Sequence, residues 1–157
     1  MKLRLIKEEY LMEMANLRGK DIKIETVNFS IYFSPKGHRH GIKLKVLWNR
    51  DNMKGSIVDG ILELHGNYKY TKSTNAINYC SEKDIDNLRN FAKKYKVIFA
   101  GVWENALDQN DVQDYFKNRI SLKDLLNTME DKIPSNITNL SKFEKYVREN
   151  QLFNMND

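Results

Sequence analysis

From residue 21 to 71 the apolar side chains recur mostly at every second position, whereas from 81 onward they recur every third or fourth. That change of period separates a sheet from a helical region. Ile22 and Ile24, then after a phase change Val27, Phe29, Ile31 and Phe33, predict a long strand over 21–34 with a bulge between its two alternating runs. Ile42, Leu44, Val46 and Trp48 predict the next strand, with Lys43 and Lys45 on its opposite face. Residues 49–56 have loop composition, and 57–65 resumes as a strand with Val58, Leu62 and Leu64 on one face. Gly66-Asn67 fits a two-residue hairpin turn into Tyr68-Lys69-Tyr70. An antiparallel meander of three to four strands over about 21–71 follows.

Around this meander the 3.6-residue period predicts helices. Tyr10, Leu11, Met14 and Leu17 form one stripe, giving an N-terminal helix over 8–18 that stops at Gly19. Ser81 with Asp84 is a capping-box-like start for a helix carrying Ile85, Leu88, Phe91, Ala92 and Tyr95. Residues 97–103 suit either a buried strand or a helix, and the stripe Phe91, Tyr95, Ile98, Val102, Ala106 favours helix. Two short helices are predicted over 108–118 and 121–130, and Ser141 with Glu144 is read as the cap of a last one. The expected fold is α+β in a single domain over 1–157: an N-terminal helix (1–20), the sheet (21–71), a helical part (81–131) and a C-terminal helix (137–153).

Composition changes this picture little, and charge changes it more. A hydrophobic share of 41% with 7 Gly and 2 Pro is that of a globular chain. No apolar run approaches the roughly 20 residues of a membrane helix. Glu8 and Glu9 interrupt the N-terminus before a signal-peptide core develops, and the single cysteine, Cys80, suits a reducing compartment, so a cytoplasmic protein is expected. The net charge of +5 is uneven: residues 1–80 hold 14 Lys and Arg against 8 Asp and Glu, residues 81–157 hold 12 against 13. A localised positive field attracts phosphate or an acidic protein surface.

The basic turn and strand carrying Lys36, His38, Arg39, His40, Lys43 and Lys45 are the candidate contact region for such a partner. His38 and His40, one residue apart and joined by His65 with Asp59 or Glu63, could bracket a metal ion. The four neighbouring cations oppose that reading, and the acids of 59–65 depart from the nuclease pattern because His65 stands where a lysine is needed. Trp48, Tyr68 and Tyr70 could stack on bases, although aromatics on strands more often pack across the sheet. The stretch 97–116 has no Lys or Arg but carries Glu104, Asp108, Asp111 and Asp114, a candidate acidic contact surface. No catalytic triad, glycine-rich phosphate loop or zinc motif is present in the sequence, and no cofactor is expected.

The expected function is therefore binding, directed at a protein that handles nucleic acid. A compact, motif-free, Lys/Asn-rich chain with separated charge resembles the accessory proteins of phages and mobile elements, including inhibitors of bacterial defence nucleases such as anti-CRISPR proteins. The resemblance is one of size and character, and it transfers no residues. Direct DNA or RNA binding and metal-dependent hydrolysis are the alternative expectations.

Overall fold

The computed structural model describes residues 15–18, 29–35, 41–49 and 58–155. Five strands, β1 (Ala15–Arg18), β2 (Phe29–Phe33), β3 (Lys43–Trp48), β4 (Gly60–Glu63) and β5 (Tyr70–Lys72), form one antiparallel sheet in the order β1-β2-β3-β4-β5. Five helices follow among the described residues: α1 (Glu82–Lys94), α2 (Lys96–Trp103), α3 (Gln109–Phe116), α4 (Leu122–Asn127) and α5 (Leu140–Asn150). The fold is α+β, a meander with its helices C-terminal to it.

Register assigns the two faces of the sheet. Phe29 pairs with Trp48, Ile31 with Val46 and Leu44 with Leu62, so Leu17, Ile31, Leu44, Val46, Trp48 and Leu62 share one face and are buried against the helices. The other face carries Arg18, Ser30, Tyr32, Lys43, Lys45, Ile61 and Glu63. The alternation read for 42–48 holds in the structure.

The first strand corrects the sequence expectation. Residues 15–18, placed in an N-terminal helix by the stripe ending at Leu17, are extended and pair with β2 from Ala15↔Phe33 to Arg18↔Ser30. Leu17 is the inward residue of a short strand, and cross-strand pairing outweighs a helical spacing that four residues cannot sustain alone. The rest of the 8–18 helix and the bulge between 24 and 27 lie outside the described residues. The meander accordingly has five strands instead of three or four.

The turn between β4 and β5 also differs. Leu62 pairs with Tyr70 and the Glu63 amide donates to the Lys69 carbonyl, which leaves 65–67 in the loop and not 66–67 alone. Gly66 (φ 56°) and Tyr68 (φ 52°) both adopt left-handed backbone there. Tyr68 is held in this conformation by Arg89 of α1, whose Nε donates to its carbonyl at 2.8 Å, and by burial beside the Lys93 and Lys96 ammonium groups.

The helices start where side-chain oxygens can take their first amides. Ser81 and Asp84 form the reciprocal capping box expected for α1, and Ser121 with Asp124 does the same for α4. The last helix is capped by Asn139, whose side chain accepts from the Lys142 amide, and Ser141 lies inside the helix. Helix ends use asparagine where many chains use glycine: Asn105 and Asn118 sit at φ near 60° after α2 and α3, each followed by an amide reaching back five residues. Helix α2 is buried on all sides, which explains its unbroken apolar run and settles 97–103 as helix. Around it Phe33, Phe91, Phe99 and Phe116 form the aromatic centre of the core, Phe99 and Phe116 stacked 5.5 Å apart.

Candidate functional site

Helix α2 ends at Trp103, and the chain turns back through Asn105 into α3, so Glu104 and Asp108 emerge on either side of this turn. The turn is fixed from within: the Ala106 and Leu107 amides both donate to the Gly101 carbonyl, and Leu107 is buried against Gly101. A β-carbon at Gly101 would lie 2.7 Å from the Leu107 side chain, so this approach requires glycine. The short helix α4 then delivers Met129, buried, and Glu130 and Asp131, exposed, to the same place.

Glu104, Asp108, Glu130 and Asp131 thereby line one open cleft of about 480 Å³, floored by Leu107 and Met129 and bounded by Pro35 and Leu152. Among the described residues no lysine or arginine lines it. Asp108 spends one oxygen as the α3 cap, accepting from the Asn110 and Asp111 amides. Among the described residues Glu104, Glu130 and Asp131 form no ion pair.

Of the acids expected from sequence, Glu104 and Asp108 join this cleft and Asp111 and Asp114 do not line it. Burial, together with the Asp108 and Asp114 charges, pushes the Asp111 carboxyl above its ordinary range. Asp114 is drawn off by Arg119 at 3.2 Å. Glu130 and Asp131 were missed because they lie more than twenty residues along the chain from Glu104. The sole signal available was their position at the end of the predicted 121–130 helix and just past it.

Of the basic set, Lys36, His38, Arg39 and His40 lie outside the described residues. Lys43 and Lys45 project from the sheet face away from the helices, on the same side as Arg18. Lys43 stands opposite Glu63. Lys45 sits between Tyr32 and Ile61, half-buried, and burial with the nearby Lys43 charge holds its ammonium below the usual lysine range.

The aromatics expected to stack on bases are engaged elsewhere. Trp48 is buried and its indole N–H donates to the Tyr70 hydroxyl at 2.8 Å. Tyr68 is buried in the hairpin as described above. Cross-strand packing is the reading that the structure supports for Trp48 and Tyr70, whose rings meet edge to face, whereas Tyr68 is buried in the turn beside Lys93 and Lys96.

Asp59, considered for a metal site, serves the fold. It is 1% exposed; one oxygen accepts from the Trp48 amide at 2.8 Å, the other from the Ile77 and Asn78 amides at 2.8 and 3.2 Å. Among the described residues His65 Nε2 meets only Glu63 within ion-pair range, at 3.5 Å, and no cluster of three His, Cys, Asp or Glu forms. His38 and His40 fall outside the described residues. Cys80 is paired with Tyr70, and burial raises both groups, the phenol to about 12. Such a thiol is mostly protonated near neutral pH and is a poor nucleophile.

No helix of the described residues is long and apolar enough to cross a membrane. Comparison of the chain with family models, curated proteins and solved structures finds no match in any of the three.

Proposed function

We propose that the chain acts by binding, and that its partner is a protein that handles nucleic acid, engaged through the acidic cleft at Glu104, Asp108, Glu130 and Asp131. The observation that supports this reading is the convergence of four carboxylates, without a balancing cation among the described lining residues, on one open concavity. Unneutralised like charge held together in one place is destabilising to the free protein, and a basic groove relieves it. A groove that holds phosphates supplies such cations, so the chain competes with nucleic acid for it. An inhibitor of a bacterial defence nuclease, encoded by a phage or mobile element, is the role that fits.

The test is affinity capture from the native host with duplex DNA as competitor. A nuclease or other nucleic-acid-handling protein, retained by the chain and displaced by DNA, is the expected result. A captured partner that DNA cannot displace contradicts the competitive mode, and capture unchanged by Glu104→Lys with Glu130→Lys contradicts the assignment of the cleft.

One observation favours direct nucleic-acid binding as a second reading: Arg18, Lys43 and Lys45 share the sheet face away from the helices. If this face binds phosphates, affinity for DNA or RNA falls steeply with salt, by about one power of the salt concentration per phosphate neutralised. Absence of binding at low salt removes this reading.

A further inference from the structure

The two edges of the sheet are finished differently. At β1 the Gln113 side chain of α3 donates its amide N–H to the Asn16 carbonyl at 2.8 Å, so a helix covers part of that edge. At β5 the ladder to β4 uses alternate residues. The Lys69 carbonyl accepts from Glu63, the Ser73 amide donates to Asp59, and Thr71 stands opposite Ile61 between them. Alternation turns the backbone N–H and C=O of Tyr70 and Lys72 outward. Among the described residues nothing hydrogen-bonds to these outward groups.

Beside this open edge lie the two large hydrophobic side chains exposed among the described residues, Ile77 (47%) and Tyr79 (63%). They are fixed there. Asp59 takes the Ile77 and Asn78 amides, and the Lys72 ammonium lies 3.7 Å from the centre of the Tyr79 ring. From 66 to 81 the chain carries Lys69 and Lys72, both exposed, and no acidic residue. An edge strand only needs to be short or charged to resist aggregation, and β5 is both, but neither requirement calls for exposed apolar side chains held in place next to it.

We infer that β5 is a docking edge for an extended acidic segment of a partner protein, which adds as a sixth strand. Its backbone pairs with Tyr70 and Lys72; on one face a carboxylate meets Lys72 and an apolar side chain rests on Ile77 and Tyr79, and on the other face a second carboxylate meets Lys69. Main-chain pairing supplies affinity in this mode, and the flanking side chains supply selectivity. The positive edge disfavours a second copy of β5, since each copy would bring the same lysines. This surface is distinct from the acidic cleft, and either can fail without the other.

The test titrates the full chain with an eight-residue peptide repeating Glu-Glu-Val-Val, which gives each face of an extended strand both carboxylates and valines, alongside its Lys-Lys-Val-Val counterpart and a single-stranded oligonucleotide. Amide hydrogen exchange at Lys72 and fluorescence anisotropy are the readouts. The expected result is binding of the acidic peptide alone, slowed exchange at Lys72, and at least tenfold weaker binding for Lys72→Glu and for Tyr79→Ser. Both side chains are exposed, so these variants are expected to fold; Lys72→Gln, neutral at the same site, is expected to fall between. No binding of the acidic peptide, binding without protection of Lys72, or equal binding in the variants overturns the proposal. So does preferential binding of the oligonucleotide, or a concentration-dependent dimer lost in Lys72→Glu.

Discussion

Asp59 is 1% exposed and its two oxygens take three backbone N–H groups, whereas Glu130 and Asp131 stand exposed on a cleft with no cation beside them among the described residues. The same chemical group is spent internally in one region and left open in the other. A carboxylate enclosed by amides ties the end of β3 to the 73–80 loop, and its charge is not available to anything outside. Carboxylates that satisfy nothing in the fold retain their charge for a partner. Net charge therefore hides local charge: a chain of +5 gathers four carboxylates on one open cleft.

The largest expected effect falls on the enclosed side. Asp59→Ala leaves three amides without their acceptor and should lower stability by about 3 kcal/mol or more in urea unfolding. A loss below about 1 kcal/mol would mean that water replaces the carboxylate, and the contrast between the two regions would weaken. Next comes the contact that packs Asp59's neighbour. A β-carbon at Gly60 would fall 2.1 Å from the Tyr70 hydroxyl, so Gly60→Ala should cost about 1–3 kcal/mol through overpacking. Tyr70→Phe, which leaves the Trp48 indole N–H without its partner, should cost about 1–2 kcal/mol; a thermal melt ranks the two.

On the open side, the triple change Glu104→Gln, Glu130→Gln and Asp131→Asn should shift stability by no more than about 0.5 kcal/mol. A large destabilisation would show that the cleft acids are structural after all. The smallest effect belongs to Asp111. Its folded-state pKa is raised, so the folded protein ionises it less readily than the unfolded chain does, and ionisation costs stability. Asp111→Asn should give a slight gain in Tm at neutral pH, fading as pH falls through the carboxylate range because the parent is then protonated too. A gain that persists at low pH contradicts this origin.

Much of the fold was legible because its signals are local. Ile42 to Trp48 alternate through a half-buried strand, and Ser81 with Asp84 satisfies the first amides of α1 without help from distant residues. Residues 15–18 were misread because Leu17 belongs to a helical stripe in sequence and to β2 in space, and only pairing decides between them. The turn at 65–67 is one residue longer than the expected 66–67 because Arg89, twenty-one positions later, holds Tyr68 in a left-handed conformation. The cleft was half legible for the same reason. Glu104 and Asp108 sit in a visibly cation-free stretch, but Glu130 and Asp131 reach it by the path of α3 and α4, which no short pattern encodes.

The account rests on the cleft being the contact surface and the basic sheet face being secondary to it. The most direct measurement is the Kd of the captured partner for three chains: parent, Glu104→Lys with Glu130→Lys, and Lys43→Glu as the control on the opposite charge. The account predicts at least a tenfold loss of affinity for the cleft reversal and little change for Lys43→Glu. The opposite ranking, with the lysine variant crippled and the cleft variant intact, would contradict it.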